Sequence, residues 1–257
     1  NIKQGLLTAS GLSDKSLKYF SDSDKMDAIK KMIEEFLLPA GRGFVDELVY
    51  RYLLVRGDSL GGSMRNLVGT IAEIKLKRKI FSILSMLQVP FKILFKRNKN
   101  NNKWTDLSYE EAFSIANEIC AISWCINGLD KVLFFNATIP IVRNNVDICL
   151  YKGTSTTFDS GNIVHSNDDA IMFGELKGGI DPAGADEHWK TGNTALARIR
   201  TAFKGYNIKT SFVGAAIEKK MAEEIFLQLE NNTLSNAANL TYNEHLTNYC
   251  EWLVKLQ

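Results

Sequence analysis

Ala170-Ile-Met-Phe-Gly-Glu-Leu-Lys177 is a short apolar run that closes on an acid and a lysine two positions apart. Its length and its Ile, Met, Phe and Leu content, after a polar stretch and before Gly178-Gly179, predict a strand. On a strand, Glu175 and Lys177 leave the same face. Upstream, Lys131 to Ala137 and Asn145 to Tyr151 have the same character, and the second contains Val146-Asp147-Ile-Cys-Leu150. A polar loop from Lys152 to Asp169 joins it to the 170–177 segment. Downstream, the pattern predicts a helix around Gly192 to Lys204, a strand at Thr210 to Ala215 and a helix from Ile217 to Glu230. Strands mixed with helices in this order predict an α/β core over residues 111–257.

Asp147 reaches the face of Glu175 and Lys177 if its strand lies beside theirs. Two carboxylates and an amine would then converge, a donor set suited to a hard divalent cation such as Mg²⁺. Phosphodiester hydrolysis needs that combination, because it requires a hydroxide at neutral pH and places negative charge on the attacked phosphate. Lys177 would position the water or help to deprotonate it. An Asp, a gap and Glu-x-Lys is a weak signal alone, and a surface ion pair at a strand end explains it as well.

The region before residue 111 reads as helical. Met26, Ile29, Ile33, Phe36 and Leu37 recur at helical spacing between Asp24, a candidate cap, and Pro39. Phe44, Leu48, Tyr52 and Val55 predict a second helix ending near Gly57. Gly61-Gly62 predicts a turn, and a third helix is expected from Met64 to Leu87. Lys96 to Lys103, with three consecutive asparagines, is expected to be a loop. Ser108 and Glu111 form a capping-box pattern, and the helix they begin is expected to carry Ala112, Ile115, Ala116, Ile119 and Ile122 as its apolar stripe. Residues 1–110 are thus expected to form a mainly helical N-terminal lobe.

Composition bounds the rest. A chain of 257 residues with 45% hydrophobic content can bury one large core, or one core and a smaller lobe. Its longest apolar runs are too short for a membrane span, and it opens without a basic-then-apolar leader, so a cytoplasmic location is expected. Cys120, Cys125, Cys149 and Cys250 lack zinc-site spacing and are expected to be reduced, mostly buried thiols. A net charge of +2 excludes a polycation that coats nucleic acid indiscriminately. Basic residues do cluster, at Lys75, Lys77, Arg78 and Lys79 and again from Lys92 to Lys103, which composition alone reads as solvated surface.

Gly174-Glu-Leu-Lys-Gly-Gly-Ile-Asp-Pro-Ala-Gly-Ala-Asp-Glu-His-Trp-Lys-Thr191 resembles the active-site segment of the restriction endonucleases of the AvaI and BsoBI type. Tyr52-Leu-Leu-Val-Arg-Gly-Asp-Ser-Leu-Gly-Gly-Ser-Met-Arg-Asn66 looks like a second signature of that family. The resemblance implies a PD-(D/E)xK nuclease core with a mixed central sheet flanked by helices, and an N-terminal lobe, residues 1–110, used for DNA contact and dimerisation. Its catalytic residues fall on Asp147, Glu175 and Lys177, and an additional active-site histidine falls on His188, suited to proton transfer near neutral pH. The expected metal ligands are Asp147, Glu175 and the backbone carbonyl of Leu176. A base-reading acid falls on Asp181, where an aspartate could accept from cytosine N4; a turn-forming Asp before Pro182 is the alternative. Lys190 and Arg198 are candidates for phosphate contact. Asp58, Ser59, Gly61, Gly62, Ser63, Arg65 and Asn66 are expected to form a tight loop at a helix end that either faces DNA or holds the active-site sheet, and Arg56 is a further candidate for DNA contact. His165 and His245 have no motif around them.

The family resemblance further implies a homodimer acting on a nearly palindromic site of the form CYCGRG in double-stranded DNA, with no membrane partner. A cognate methyltransferase would act on the same site without needing to bind this chain. Two rivals remain at this level: a non-specific or repair nuclease of the same fold, and a catalytically inactive DNA-binding relative.

Overall fold

In the computed structural model, which describes residues 2–96, 103–158, 167–180 and 182–257, the chain forms two units, Asn1–Leu67 and Val68–Gln257. The first contains α1 (Ile2–Ala9), α2 (Asp22–Met32) and the beginning of α3 (Phe44–Met86). Leu7, Leu12 and Ile29 meet in one small core, and Ala9, Met32 and Leu37 in another. Ser21, rather than Asp24, caps α2. The Ser21 hydroxyl accepts from the Asp24 amide at 3.2 Å, and the Asp24 carboxylate accepts from the Ser21 amide at 3.0 Å. After Met32 the backbone widens over Ile33–Leu37, and the Leu38 amide bonds back to the Ile33 carbonyl.

The expectation of two helices parted by a turn at Gly61-Gly62 is corrected: Phe44–Met86 is a single helix of 43 residues. Arg65 and Asn66 therefore stand on a helix and not in a loop, and Arg56 stands on the same helix. No proline interrupts this segment, and Leu60, Met64, Leu67 and Ile71 continue a stepping of four and three across the glycines. A glycine costs a helix interior only about 1 kcal/mol relative to alanine, too little to end one that continues into a buried segment. The Ser63 hydroxyl donates to the Ser59 carbonyl, which keeps a polar side chain satisfied inside the helix.

Within the second unit, the described residues form an eight-stranded sheet. The strands are β1 (Phe91–Phe95), β2 (Thr105–Asp106), β3 (Ile119–Ile126), β4 (Leu129–Ile139), β5 (Asn144–Lys152), β6 (Ala170–Lys177), β7 (Lys209–Gly214) and β8 (Asn236–Asn239). Their order is β2-β1-β3-β4-β5-β6-β7-β8. Pairings are antiparallel as far as β6, then parallel from β6 to β7 and from β7 to β8. The helices of this unit are α4 (Tyr109–Ser114), α5 (Pro182–Ala202), α6 (Lys219–Glu230) and α7 (Asn243–Lys255), besides the second half of α3. The mixed sheet flanked by helices agrees with the sequence expectation.

Ser108 and Glu111 do make their capping box, but α4 stops at Ser114. Ile119 and Ile122, expected on that helix, lie on β3. Ile119-Cys-Ala-Ile-Ser-Trp-Cys-Ile126 is β-branched and aromatic enough to join the sheet, with Ile119, Ala121 and Ile122 fully buried. The unit boundary falls at Leu67, not near residue 110, because β1 is a sheet strand and residues 72–84 of α3 bury their apolar side chains on the sheet.

One face of the sheet packs against α3 and α7 through Leu76, Ile80, Phe81, Leu246, Tyr249 and Leu253. The other packs against α5 and α6 through Trp189, Leu196, Ile199, Phe203, Met221 and Ile225. Lys77, expected on a solvated face, is fully buried on the α3 side. Cys149 and Cys250 are buried, Cys120 is half-buried and Cys125 is exposed, all as free thiols. No helix among the described residues is long and apolar enough to cross a membrane.

Candidate active site

The β5–β6 ladder pairs Leu150 with Met172, Cys149 with Phe173 and Ile148 with Gly174, and then stops. Past that point the Leu176 amide is taken up by the Asp147 carboxylate, at 2.8 Å, instead of by a β5 carbonyl. A residue's carbonyl leaves an extended strand on the same side as its amide, so the Leu176 carbonyl faces the same gap. Glu175 and Lys177 share a face, as their spacing predicts, and the Lys177 ammonium lies 2.7 Å from Glu175 and 3.7 Å from Asp147. The two acids and the lysine are thus brought together.

Two carboxylates share one ammonium in this gap. Glu175 is only 4% exposed, and burial, reinforced by the charge of Asp147, pushes its carboxyl up to about 7 even though Lys177 pulls it down. Burial also works against the charge on Lys177, but Glu175 and Asp147 outweigh it and the net shift is upward. A divalent cation would relieve the repulsion between the acids, which is how this donor set fits a hard metal. No group of three His, Cys, Asp or Glu side chains is arranged for a metal among the described residues. The remaining positions would fall to backbone carbonyl and water, in keeping with Mg²⁺, which retains several waters.

The end of β6 is fitted closely to its surroundings. A Cβ on Gly178 would lie 2.7 Å from the Val68 carbonyl oxygen and 2.8 Å from the Ala72 methyl, so α3 meets the backbone here. A Cβ on Gly179 would run into the His188 imidazole. That ring therefore rests on the backbone two residues beyond Lys177. His188 rides on α5, whose next residue, Trp189, is 1% exposed. The Trp189 indole donates to Glu224 of α6 at 2.6 Å and stands edge-on to Phe212 of β7.

Other expected site residues are placed differently. Asp181 and His165 lie outside the described residues, as does most of the basic 96–103 segment. Lys190 is exposed on α5 and ion-paired with Asp186, one helical turn away. Arg198 is exposed on the same helix. Arg56 donates to the Tyr52 hydroxyl at 3.2 Å and lies 3.8 Å from Asp14. Arg65 and Asn66 line a cleft of about 580 Å³ in the first unit with Ser13, Lys15, Asp58 and Ser59. His245 packs on the Tyr242 ring. Gly178 and Gly179, expected only to end a strand, are also sites of close approach, which a glycine pair directly after Glu-x-Lys can signal.

The model of the restriction endonuclease BsobI family matches residues 1–256. The type II restriction enzyme BsoBI of Geobacillus stearothermophilus is 47% identical over 258 aligned positions, spanning 100% of this chain and 80% of that protein. The type II restriction enzyme AvaI of Nostoc sp. is 48% identical over the same span, with the same coverage, and so is AvaI of Anabaena variabilis.

Proposed function

The chain belongs to the BsobI restriction endonuclease family, and from that premise we propose that Asp147, Glu175 and Lys177 form the hydrolytic centre of a type II restriction endonuclease. The enzyme makes sequence-specific double-strand cuts in DNA. Its cation is Mg²⁺, held by the carboxylates of Asp147 and Glu175 and the carbonyl of Leu176. When bound, the ion lowers the pKa of a coordinated water and offsets charge on the phosphate. Lys177 stays protonated between the two acids, so its task is to orient the attacking oxygen and donate to a phosphate oxygen. His188, resting beside the end of β6, moves a proton to or from the reacting oxygens.

Asp181 reads a base in the major groove, while Arg198, Arg56, Arg65 and Asn66 hold phosphates, and Lys190 joins them by exchanging Asp186 for the duplex. The target is a nearly palindromic site of the CYCGRG form, protected in the host by a methyltransferase. Two active centres in a homodimer cut the two strands. Support for the dimer comes from α3, where Val45, Val49, Leu53, Leu60 and Leu67 are each about half exposed or more.

The observation that carries the proposal is the carboxylate of Asp147 bonded to the amide between Glu175 and Lys177. Plasmid digestion in Mg²⁺ tests it. Wild type should give discrete bands, while Asp147→Ala and Glu175→Ala should each lose cutting by at least ~10²-fold and still bind DNA. Near-normal turnover in either variant would place the centre elsewhere.

A further inference from the structure

Side-chain alternation slips along both β4 and β5 at one cross-strand pair, and Asp147 belongs to it. On β4, Val132 and Phe134 stand in the core under α5 and Leu133 and Phe135 in the core under α3. After Asn136, Ala137 and Ile139 stand on the α5 side, one place out of phase. On β5, Cys149 and Tyr151 face α5, Ile148 and Leu150 face α3, and Val146 again faces α5. A regular strand repeats its faces every two residues, so both strands skip one step. The register survives, with Phe135 opposite Ile148 and Ala137 opposite Val146, which leaves Asn136 opposite Asp147.

Asn136 has φ of +51°, the left-handed region that asparagine tolerates better than most residues. Its side chain is tied on both sides. The amide donates to the Glu73 carboxylate on α3, and the carbonyl accepts from the Asn145 amide at 3.3 Å. Glu73 is itself held by Lys77, which donates to the Ile119 carbonyl at 2.5 Å and lies 4.7 Å over the Phe135 ring. The buried segment of α3 thus fixes one irregular residue of β4. Irregular residues of this kind re-aim neighbouring side chains beside active sites.

We propose that Asn136 is a positioning residue for the metal centre: its left-handed backbone, anchored on Glu73, produces the slip that turns Asp147 out of the ladder toward Leu176 and Lys177. The inference rests on reading Asp147 as a metal ligand, and the experiment separates the two ideas. Terbium luminescence titration of the full chain reads ion binding without cleavage, and the Mg²⁺ dependence of plasmid cutting gives a second measure. Asn136→Val, which resists a left-handed backbone, should weaken terbium binding by about tenfold or more, and Asn136→Gly, which accepts it, should stay within about threefold of wild type. A purely structural role would lower the melting temperature and leave the ion affinity alone.

Wild-type affinity in folded Asn136→Val, or an equal loss in Asn136→Gly, overturns the proposal. If the valine variant does not fold, Asn136→Ala takes its place, with an expected loss of at least about threefold and wild-type affinity again decisive against the idea. Asp147→Ala is the control. Undiminished terbium binding there ends the reading of the centre as well, whereas loss there with none in Asn136→Val ends the positioning role alone.

Discussion

Glu175 carries the centre's pH dependence. Its carboxyl, ordinarily near 4.5, is pushed to about 7 by burial and by Asp147, so between those values the folded, metal-free protein holds a proton that the unfolded chain has lost. Stability must then fall as pH rises across that window and receive no further change from Glu175 above it. Melting in the presence of a chelator should show this downward slope, and Glu175→Gln should flatten it. Equal slopes in both proteins would remove Glu175 as its source. Metal binding needs the ionised acid, so affinity should climb up to about pH 7, and calorimetry below that pH should detect a released proton. His188 makes a separate prediction. Its replacement by alanine should slow cutting and alter the pH–rate profile while the cleaved sequence stays the same; an unchanged profile would deny it proton transfer.

At the scale of elements, the glycines of α3 and those after β6 predict opposite outcomes. Cβ atoms on Gly61 and Gly62 would meet only a distant arginine nitrogen or open space, and both residues lie inside a helix. Gly62→Ala should therefore stabilise the protein by roughly 0.5 to 1 kcal/mol, seen as a higher melting temperature. A fall would restore the turn that dipeptide chemistry predicts. Gly179→Ala forces the His188 ring to move, and its effect on cutting should resemble loss of that histidine, with DNA binding maintained. Gly178→Ala pushes instead on the backbone of α3 and should cost stability, measured by denaturant unfolding. These contacts explain why the glycine pair belongs beside Glu-x-Lys, yet spacing along the chain holds no hint of which partner each glycine meets.

For the whole molecule, the apolar row on α3 predicts that light scattering will report twice the mass of one chain. Leu53→Asp combined with Leu60→Asp should yield a monomer, because two charges would be buried unpaired at a shared surface. A double variant that remains dimeric would move the interface away from α3. Digestion by the monomer should leave nicked circles in place of linear plasmid, since one chain carries one centre.

What local chemistry settles was readable from the chain alone. Alternation and β-branched content mark β4 to β7, and the two-residue step from Glu175 to Lys177 puts them on one face, because side-chain direction in a strand depends on neighbours in sequence. Folding in three dimensions had to decide the rest. Whether Gly61-Gly62 bends depends on the helix continuing into a buried core, and whether Ile119 to Ile126 is helix or strand depends on sheet neighbours far away in sequence. The turning of Asp147 toward Leu176 rests on β5, β6 and the slipped pair with Asn136, none of which is a property of the residues next to it.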